Sequence, residues 1–264
     1  MSARRDDRER IRAALERAAL VLRAHAARAP IPYTVKPGHG PVTAADHEVD
    51  ALLRTALPRA GEGWLSEETV DDPVRLSHRA VWIVDPIDGT RSFIAGRPEY
   101  SISIALVEDG VPVLGGVCNP ATGITAIGGP GLDLEVIGAP EAIAPAGDDA
   151  PLRVLASRTE ARLPQWNEWQ RRHPLEVTAI SSVAYKLLLV AVGAADATWT
   201  IWPKSEWDVA AGIALVRCAG GAVWSPFDED LRLNRERPIL RGLAAAGAHC
   251  EARVRAMVGR PAGG

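Results

Sequence analysis

The segment Trp82-Ile83-Val84-Asp85-Pro86-Ile87-Asp88-Gly89-Thr90 concentrates groups that can do chemistry. The apolar run Val81 to Val84 reads as a strand that delivers Asp85 at its carboxyl end, where α/β sheets place ligands, and Pro86, which lacks an N–H, stops the ladder. Asp88 follows three residues later. The turn between them can aim the Ile87 carbonyl inward, and Gly89 permits a tight backbone whose amide, with that of Thr90, can face an anion. Such an oxygen-rich set suits a hard cation like Mg2+, which shares phosphate oxygens; two such ions about 4 Å apart clamp both oxygens of an in-line displacement. Two further acidic places strengthen this reading: Leu65-Ser66-Glu67-Glu68 upstream, and Trp207-Asp208-Val209-Ala210-Ala211-Gly212 far downstream.

Each residue also has a plainer reading. Asp85 and Asp88 can cap turns, Glu67 and Glu68 can be solvated loop acids, and Asp208 can start a helix. An Asp-x-Asp-Gly-Thr after a strand marks the haloacid-dehalogenase phosphatases, whose first Asp is a covalent nucleophile. Here the spacing has one residue too many and the segment lies well inside the chain, which argues against an aspartyl intermediate.

The elements that must position these groups are readable in outline. Ile11, Leu15, Ala18 and Leu22 fall at helical spacing among Arg and Glu, and Pro30 and Pro32 end that helix. Thr43-Ala44-Ala45-Asp46 has capping-box form and opens a second helix through Val49, Leu52 and Leu53. Tyr100 to Cys118 reads as a β-hairpin around Glu108-Asp109-Gly110, with further short strands to about Ile137. The Pro-, Gly- and acid-rich stretch 138–151 separates an N-terminal lobe, 1–145, carrying most metal ligands, from a C-terminal lobe, 146–264, supplying Asp208 and substrate contacts. In the second lobe, strands around Leu152–Ser157, Leu175–Ile180 and Ala197–Ile201 alternate with helices Val183–Val192 and Val209–Ala219. The pattern predicts a layered α/β (α+β) fold: an antiparallel-rich sheet lobe plus a second α/β lobe.

Composition narrows the function classes. With 264 residues, 47% hydrophobic and 24% charged, the chain can bury a full core. A net charge of −3 without a long basic run argues against a nucleic-acid partner. Three cysteines, Cys118, Cys218 and Cys250, fit neither a disulfide framework nor a zinc knuckle, and point to a reducing cytoplasm. Charges interrupt every apolar stretch of the N-terminus, so neither an export signal nor a membrane span is expected. Eight Trp against three Tyr and two Phe suggest no function by themselves.

In order along the chain, the Glu67-Glu68 pair, Asp85-Pro86-Ile87-Asp88-Gly89-Thr90 and Trp207-Asp208-Val209-Ala210-Ala211-Gly212 resemble the three signatures of the inositol monophosphatase superfamily of Mg2+-dependent, lithium-sensitive phosphatases. With Val42–Asp46 added, the resemblance runs from about residue 10 to residue 250. It implies an αβαβα sandwich that hydrolyses small phosphate esters, and a tendency to form homodimers. By the same resemblance, Glu67, Asp85 and the Ile87 carbonyl would hold a first metal, Asp85, Asp88 and Asp208 a second, with a third near Glu67. Glu67 and Thr90 would position the attacking water, Asp46 would raise the basicity of the Thr90 hydroxyl, and the Gly89 and Thr90 amides would meet phosphate charge. Lys36 matches a basic residue near the site in relatives.

The substrate is narrowed by departures. Inositol monophosphatases carry an inositol-contacting Glu about seven residues before the last metal Asp; here that position is Ile201, and Glu206, next to Trp207, would point differently. Leu65–Glu68, Glu99-Tyr100-Ser101 leading into Ile102–Leu106, Ser157-Arg158, and Ser182 with Lys186 resemble bacterial 3′(2′),5′-bisphosphate nucleotidases, which convert 3′-phosphoadenosine 5′-phosphate to AMP. Arg158, Ser182 and Lys186 would then contact substrate, Arg158 and Lys186 serving the second phosphate. The Pro203-Lys204-Ser205-Glu206 insert matches neither subgroup and keeps histidinol-phosphate or sugar-phosphate substrates open beside inositol 1-phosphate. A catalytically idle metal-binding protein on the same fold is disfavoured, because every metal-ligand position carries the expected acid.

Overall fold

The computed structural model describes residues 2–28, 30–35, 40–138, 147, 150–227 and 230–258. Lys36 and most of the 138–151 stretch, where the lobe boundary was expected, lie outside the described residues. The chain opens with α1 (Ser2–Ala26), a ribbon of β1 (Tyr33–Val35) and β2 (Pro41–Thr43), and α2 (Ala44–Ala56). A six-stranded sheet follows: β3 (Glu62–Ser66), β4 (Ala80–Asp88), β5 (Ser101–Glu108), β6 (Val111–Asn119), β7 (Ile124–Gly128) and β8 (Glu135–Ile137), in that spatial order, with the short α3 (Thr90–Ile94) after β4. Only β3 and β4 run parallel in it. The second lobe holds β9 (Leu152–Ala156), α4 (Pro164–Arg172), β10 (Leu175–Ala179), α5 (Val183–Ala191), β11 (Ala197–Thr200), β12 (Lys204–Ser205), α6 (Glu206–Cys218), β13 (Ala222–Trp224), β14 (Ile239–Leu240), β15 (Leu243–Ala246) and α7 (Glu251–Val258). Its five-stranded sheet runs β10-β9-β11-β15-β13, and β12 pairs with β14 as a small ribbon.

The layers follow from which faces are apolar. Ile11, Leu15, Ala18 and Leu22 of α1 and Val49 and Leu53 of α2 bury against Trp82, Val84, Ile104 and Leu106 on one face of the six-stranded sheet. Val81, Ile83, Ala105 and Val107 on the other face pack against α5 and α6, whose far side meets Leu155 and Ala245 of the second sheet. Trp166 of α4 and Val254 of α7 cover that sheet's outer face. The result is αβαβα, as expected. α4, α7 and β3 were not foreseen. The three cysteines are free thiols, and no helix among the described residues is long and apolar enough to cross a membrane.

Two adjacent glycines let the layers close. A Cβ at Gly115 would lie 2.4 Å from the Ala211 carbonyl of α6, and one at Gly116 would lie 2.3 Å from Ile11 of α1. The pleat sends these neighbours to opposite faces, so β6 is thin on both sides where the helices cross it.

One expectation is corrected. Pro86 does not stop the strand; β4 continues to Asp88. Asp85 pairs with Ser103 and Asp88 with Ser101, so three steps on β4 oppose two on β5. The extra residue is a bulge, and Pro86, without an N–H, sits where no ladder bond is required.

Candidate active site

The bulge brings Asp85 and Asp88 onto the α6 side of β4. One carboxylate oxygen from each of Asp85, Asp88 and Asp208 lies within 4.8 Å of the others. Asp85 Oδ1 accepts the Ile87 N–H at 2.9 Å, whereas its Oδ2 is buried without a hydrogen-bond partner. Asp88 Oδ2 accepts the Ser182 hydroxyl at 2.8 Å and the Ala184 N–H at 2.6 Å, both at the start of α5. Asp208 stands in the first turn of α6, where Oδ2 accepts the Ser205 N–H at 3.2 Å.

Asp46 repeats that device on α2. Its Oδ2 closes the capping box with the Thr43 N–H at 2.7 Å and hydroxyl at 2.6 Å. Its Oδ1 lies 3.2 Å from the Thr90 hydroxyl, which is also 3.0 Å from the Ile87 carbonyl. Gly89, at φ +100°, turns the chain from β4 into α3; a Cβ there would strike the Glu99 carbonyl at 2.8 Å. Only glycine suits that turn, and it places the Gly89 and Thr90 peptides beside the acids.

Crowding like charges away from water makes their ionisation costly. Burial first, then neighbouring carboxylates, pushes Asp85 and Asp208 well above the usual carboxylate range. Burial also raises Asp88, against the pull of the Ala184 and Ser182 hydrogen bonds and of Lys186 and Lys204. Glu67 is exposed as a residue, but its carboxyl lies against Asp85 and is crowded by Glu68, Asp88 and Asp46; loss of water comes first in pushing it up to about 7. An orphaned, buried carboxylate oxygen among converging acids is the donor set that hard divalent cations take, so these residues fit Mg2+.

The expected substrate contacts part company. Lys186 on α5 is buried at 2% exposure, beside Asp88, Asp208, Glu160 and Lys204. Ser182 is fully buried, with its hydroxyl donating to Asp88 Oδ2 and 2.9 Å from that of Ser101. The Arg158 guanidinium is engaged by Glu99, to which Nε donates at 2.7 Å. Glu206 turns away from the acids and accepts the Asn234 and Arg235 amides at 2.7 and 3.1 Å.

Three residues escaped sequence reasoning. Asp50, one helical turn beyond Asp46, accepts the hydroxyls of Ser66 at 2.5 Å and Thr69 at 2.6 Å, tying the Glu67-Glu68 loop to α2. The i, i+4 spacing of two acids on one helix was the available signal. Glu160, in a 3₁₀ turn (Glu160–Arg162), and Lys204 on β12 stand 3.5 Å apart. Nothing in their local sequence distinguishes them from solvated charges.

Comparison with known proteins agrees with this architecture. The chain matches the inositol monophosphatase family over residues 6–257. It is 36% identical over 203 residues to the 3′(2′),5′-bisphosphate nucleotidase CysQ of Salmonella typhimurium, covering 74% of this chain and 80% of that protein. It is 33% identical over 200 residues to the inositol-1-monophosphatase of Mycobacterium leprae, covering 70% of this chain and 68% of that protein. The crystal structure of CysQ from Bacteroides thetaiotaomicron superposes with a TM-score of 0.78 at 26% identity, covering 92% of this chain and 97% of that one. Fold and relatives together are those of a phosphatase, a hydrolase of phosphate esters. The chain belongs to the inositol monophosphatase family.

Proposed function

We propose that this phosphatase removes the 3′-phosphate of a nucleoside 3′(2′),5′-bisphosphate, typified by 3′-phosphoadenosine 5′-phosphate, leaving AMP. The observation that carries the reading is Lys186, an ammonium held in a buried position beside the acidic cluster with no ion pair among the described residues. Burial lowers it to about 8, so it stays largely protonated at neutral pH and suits a second phosphate. The CysQ relatives support the same substrate class.

Asp85, Asp88, Asp208, Glu67 and the Ile87 carbonyl would hold two Mg2+ ions, with a third near Glu67. Bound there, the ions supply positive charge to the phosphate oxygens and acidify water. Glu67 and the Thr90 hydroxyl orient the attacking water. Asp46 takes the Thr90 proton as a hydrogen bond, which leaves the hydroxyl oxygen a stronger acceptor toward that water. The Gly89 and Thr90 amides meet charge on the phosphoryl oxygens. A new P–O bond forms to water, which gives up a proton, as the bond to the 3′-oxygen breaks; that oxygen takes a proton from solvent and leaves as the alcohol, with one inversion at phosphorus.

The Mycobacterium leprae relative favours a second reading, inositol 1-phosphate. Ile201, the residue at the expected ring contact, cannot pair with a hydroxyl; each unsatisfied hydroxyl costs roughly 1–3 kcal/mol. Initial rates with Mg2+ on both esters decide between them. The expected outcome is higher kcat/KM on the bisphosphate; a tenfold preference for inositol 1-phosphate defeats the nucleotidase reading. Strong activity in excess chelator defeats the metal assignment.

A further inference from the structure

Lys186 is not alone. Lys204 rises from β12, whose backbone is fixed by antiparallel pairing with β14, and the next residue, Ser205, donates its N–H to Asp208. The Lys204 side chain is 16% exposed, and its ammonium is near enough to Asp88, Asp208 and Lys186 to influence all three. Its one ion pair among the described residues, with Glu160 Oε1, is long at 3.5 Å. That same oxygen already accepts the Thr200 hydroxyl, and Glu160 Oε2 is buried without a partner.

Lys186 and Lys204 repel each other, and Glu160, Asp88 and Asp208 are the opposite charges around them. The aspartates cannot serve as lasting counter-ions if they hold divalent cations. A buried like-charge pair is costly unless an anion joins it. Arg158, the other expected cation, is already engaged by Glu99.

We propose that Lys204, backed by Lys186, is the specificity-determining cation of the site and grips the phosphate that the substrate keeps. Glu160 holds the Lys204 ammonium in place through a contact loose enough to yield to a phosphate oxygen. The assignment rests on the nucleotidase reading above and places the retained 5′-phosphate on the β12 side of the acids.

The test compares two substrates that differ only in that group, 3′-phosphoadenosine 5′-phosphate and adenosine 3′-phosphate. Wild-type protein with Mg2+ should prefer the bisphosphate, as the ratio of kcat/KM values. Lys204→Met should cut that ratio by about tenfold to a hundredfold, the worth of a charge-assisted hydrogen bond, through KM of the bisphosphate. Lys204→Arg should restore most of it. Calorimetric titration with AMP, which involves no turnover, should show a matching loss of affinity in Lys204→Met and in Lys204→Gln, a gentler replacement should the first fold poorly. A purely structural ion pair to Glu160 would lower melting temperature and slow both substrates alike. An unchanged ratio in a folded Lys204 variant overturns this proposal while the nucleotidase reading stands. A wild-type ratio near one overturns the nucleotidase reading, and this proposal with it.

Discussion

Asp46 and Asp208 show how one side chain serves two ends. Each sits in the first turn of its helix and closes the cap with Oδ2. Asp46 Oδ1 reaches the Thr90 hydroxyl, and one Asp208 carboxylate oxygen lies within 4.8 Å of oxygens of Asp85 and Asp88. The plainer sequence reading, a helix-start acid, and the chemical one are therefore compatible. If Thr90 orients water rather than gripping substrate, Thr90→Ala should lower kcat by more than it raises KM in steady-state kinetics, and equal effects on both would place the hydroxyl in binding. Asp85 gives an opposite pair of signs. Its carboxylate is costly in the metal-free fold, so Asp85→Asn should raise the melting temperature in chelator while lowering turnover with Mg2+ by orders of magnitude. A variant less stable than wild type in chelator would show that the orphaned oxygen is not under strain of charge. The motif acids were legible because turns, caps and spacing mark them; Lys204 and Glu160 were not, because their partners lie 44 residues apart and no local rule joins them.

Strand β4 and its neighbours turn these residues into a site. The sequence indicated that something ends near Pro86, but not that the ladder would absorb the proline in a bulge and resume for Asp88. That depends on β5, since a bulge is a property of a pair of strands. The hairpin was legible to its turn, because Asp109 and Gly110 both have positive φ, as a two-residue connection requires. The close approach of α6 to β6 was not, because glycine in a strand has several readings. Gly115→Ala must push α6 outward, and with it Asp208. About 1–3 kcal/mol of stability should be lost in urea unfolding, with a higher Mg2+ concentration needed for half-maximal activity. On the opposite flank, Asp50→Ala strands the buried Ser66 hydroxyl at a similar cost and frees the Glu67 loop, so Mg2+ titration should shift again. A stability loss without that shift would reduce Asp50 to a structural anchor.

The two sheets share their middle layer, so the lobes inferred from composition are not independent bodies. α5 and α6 bury residues against Ile83 on one side and Ala245 on the other within one continuous core. A molecule built this way should unfold in one calorimetric transition, with equal van't Hoff and calorimetric enthalpies; two resolved transitions would separate the lobes. Two glutamates of opposite sign contribute to the pH dependence of that transition. Glu62 is held at about 2 although burial opposes it, by Arg10, the Trp82 indole and the Arg59 amide. The stability it lends is full above its ordinary 4.5 and is lost as pH falls toward 2. Glu67, pushed up to about 7, keeps in the metal-free fold a proton that the unfolded chain releases near 4.5, so stability declines as pH rises from 4.5 to 7. Between them, these two glutamates favour the metal-free fold most near their shared ordinary value of 4.5. If these acids hold Mg2+ in the folded chain, the ion competes with the Glu67 proton and should raise the melting temperature most at and above pH 7 and flatten the alkaline decline. Melting temperatures from pH 3 to 8, in chelator and in Mg2+, test this directly. A metal-free curve that rises between pH 5 and 7, or one that Mg2+ leaves unmoved at pH 7, would mean that the carboxylates are neither crowded nor a cation's ligands.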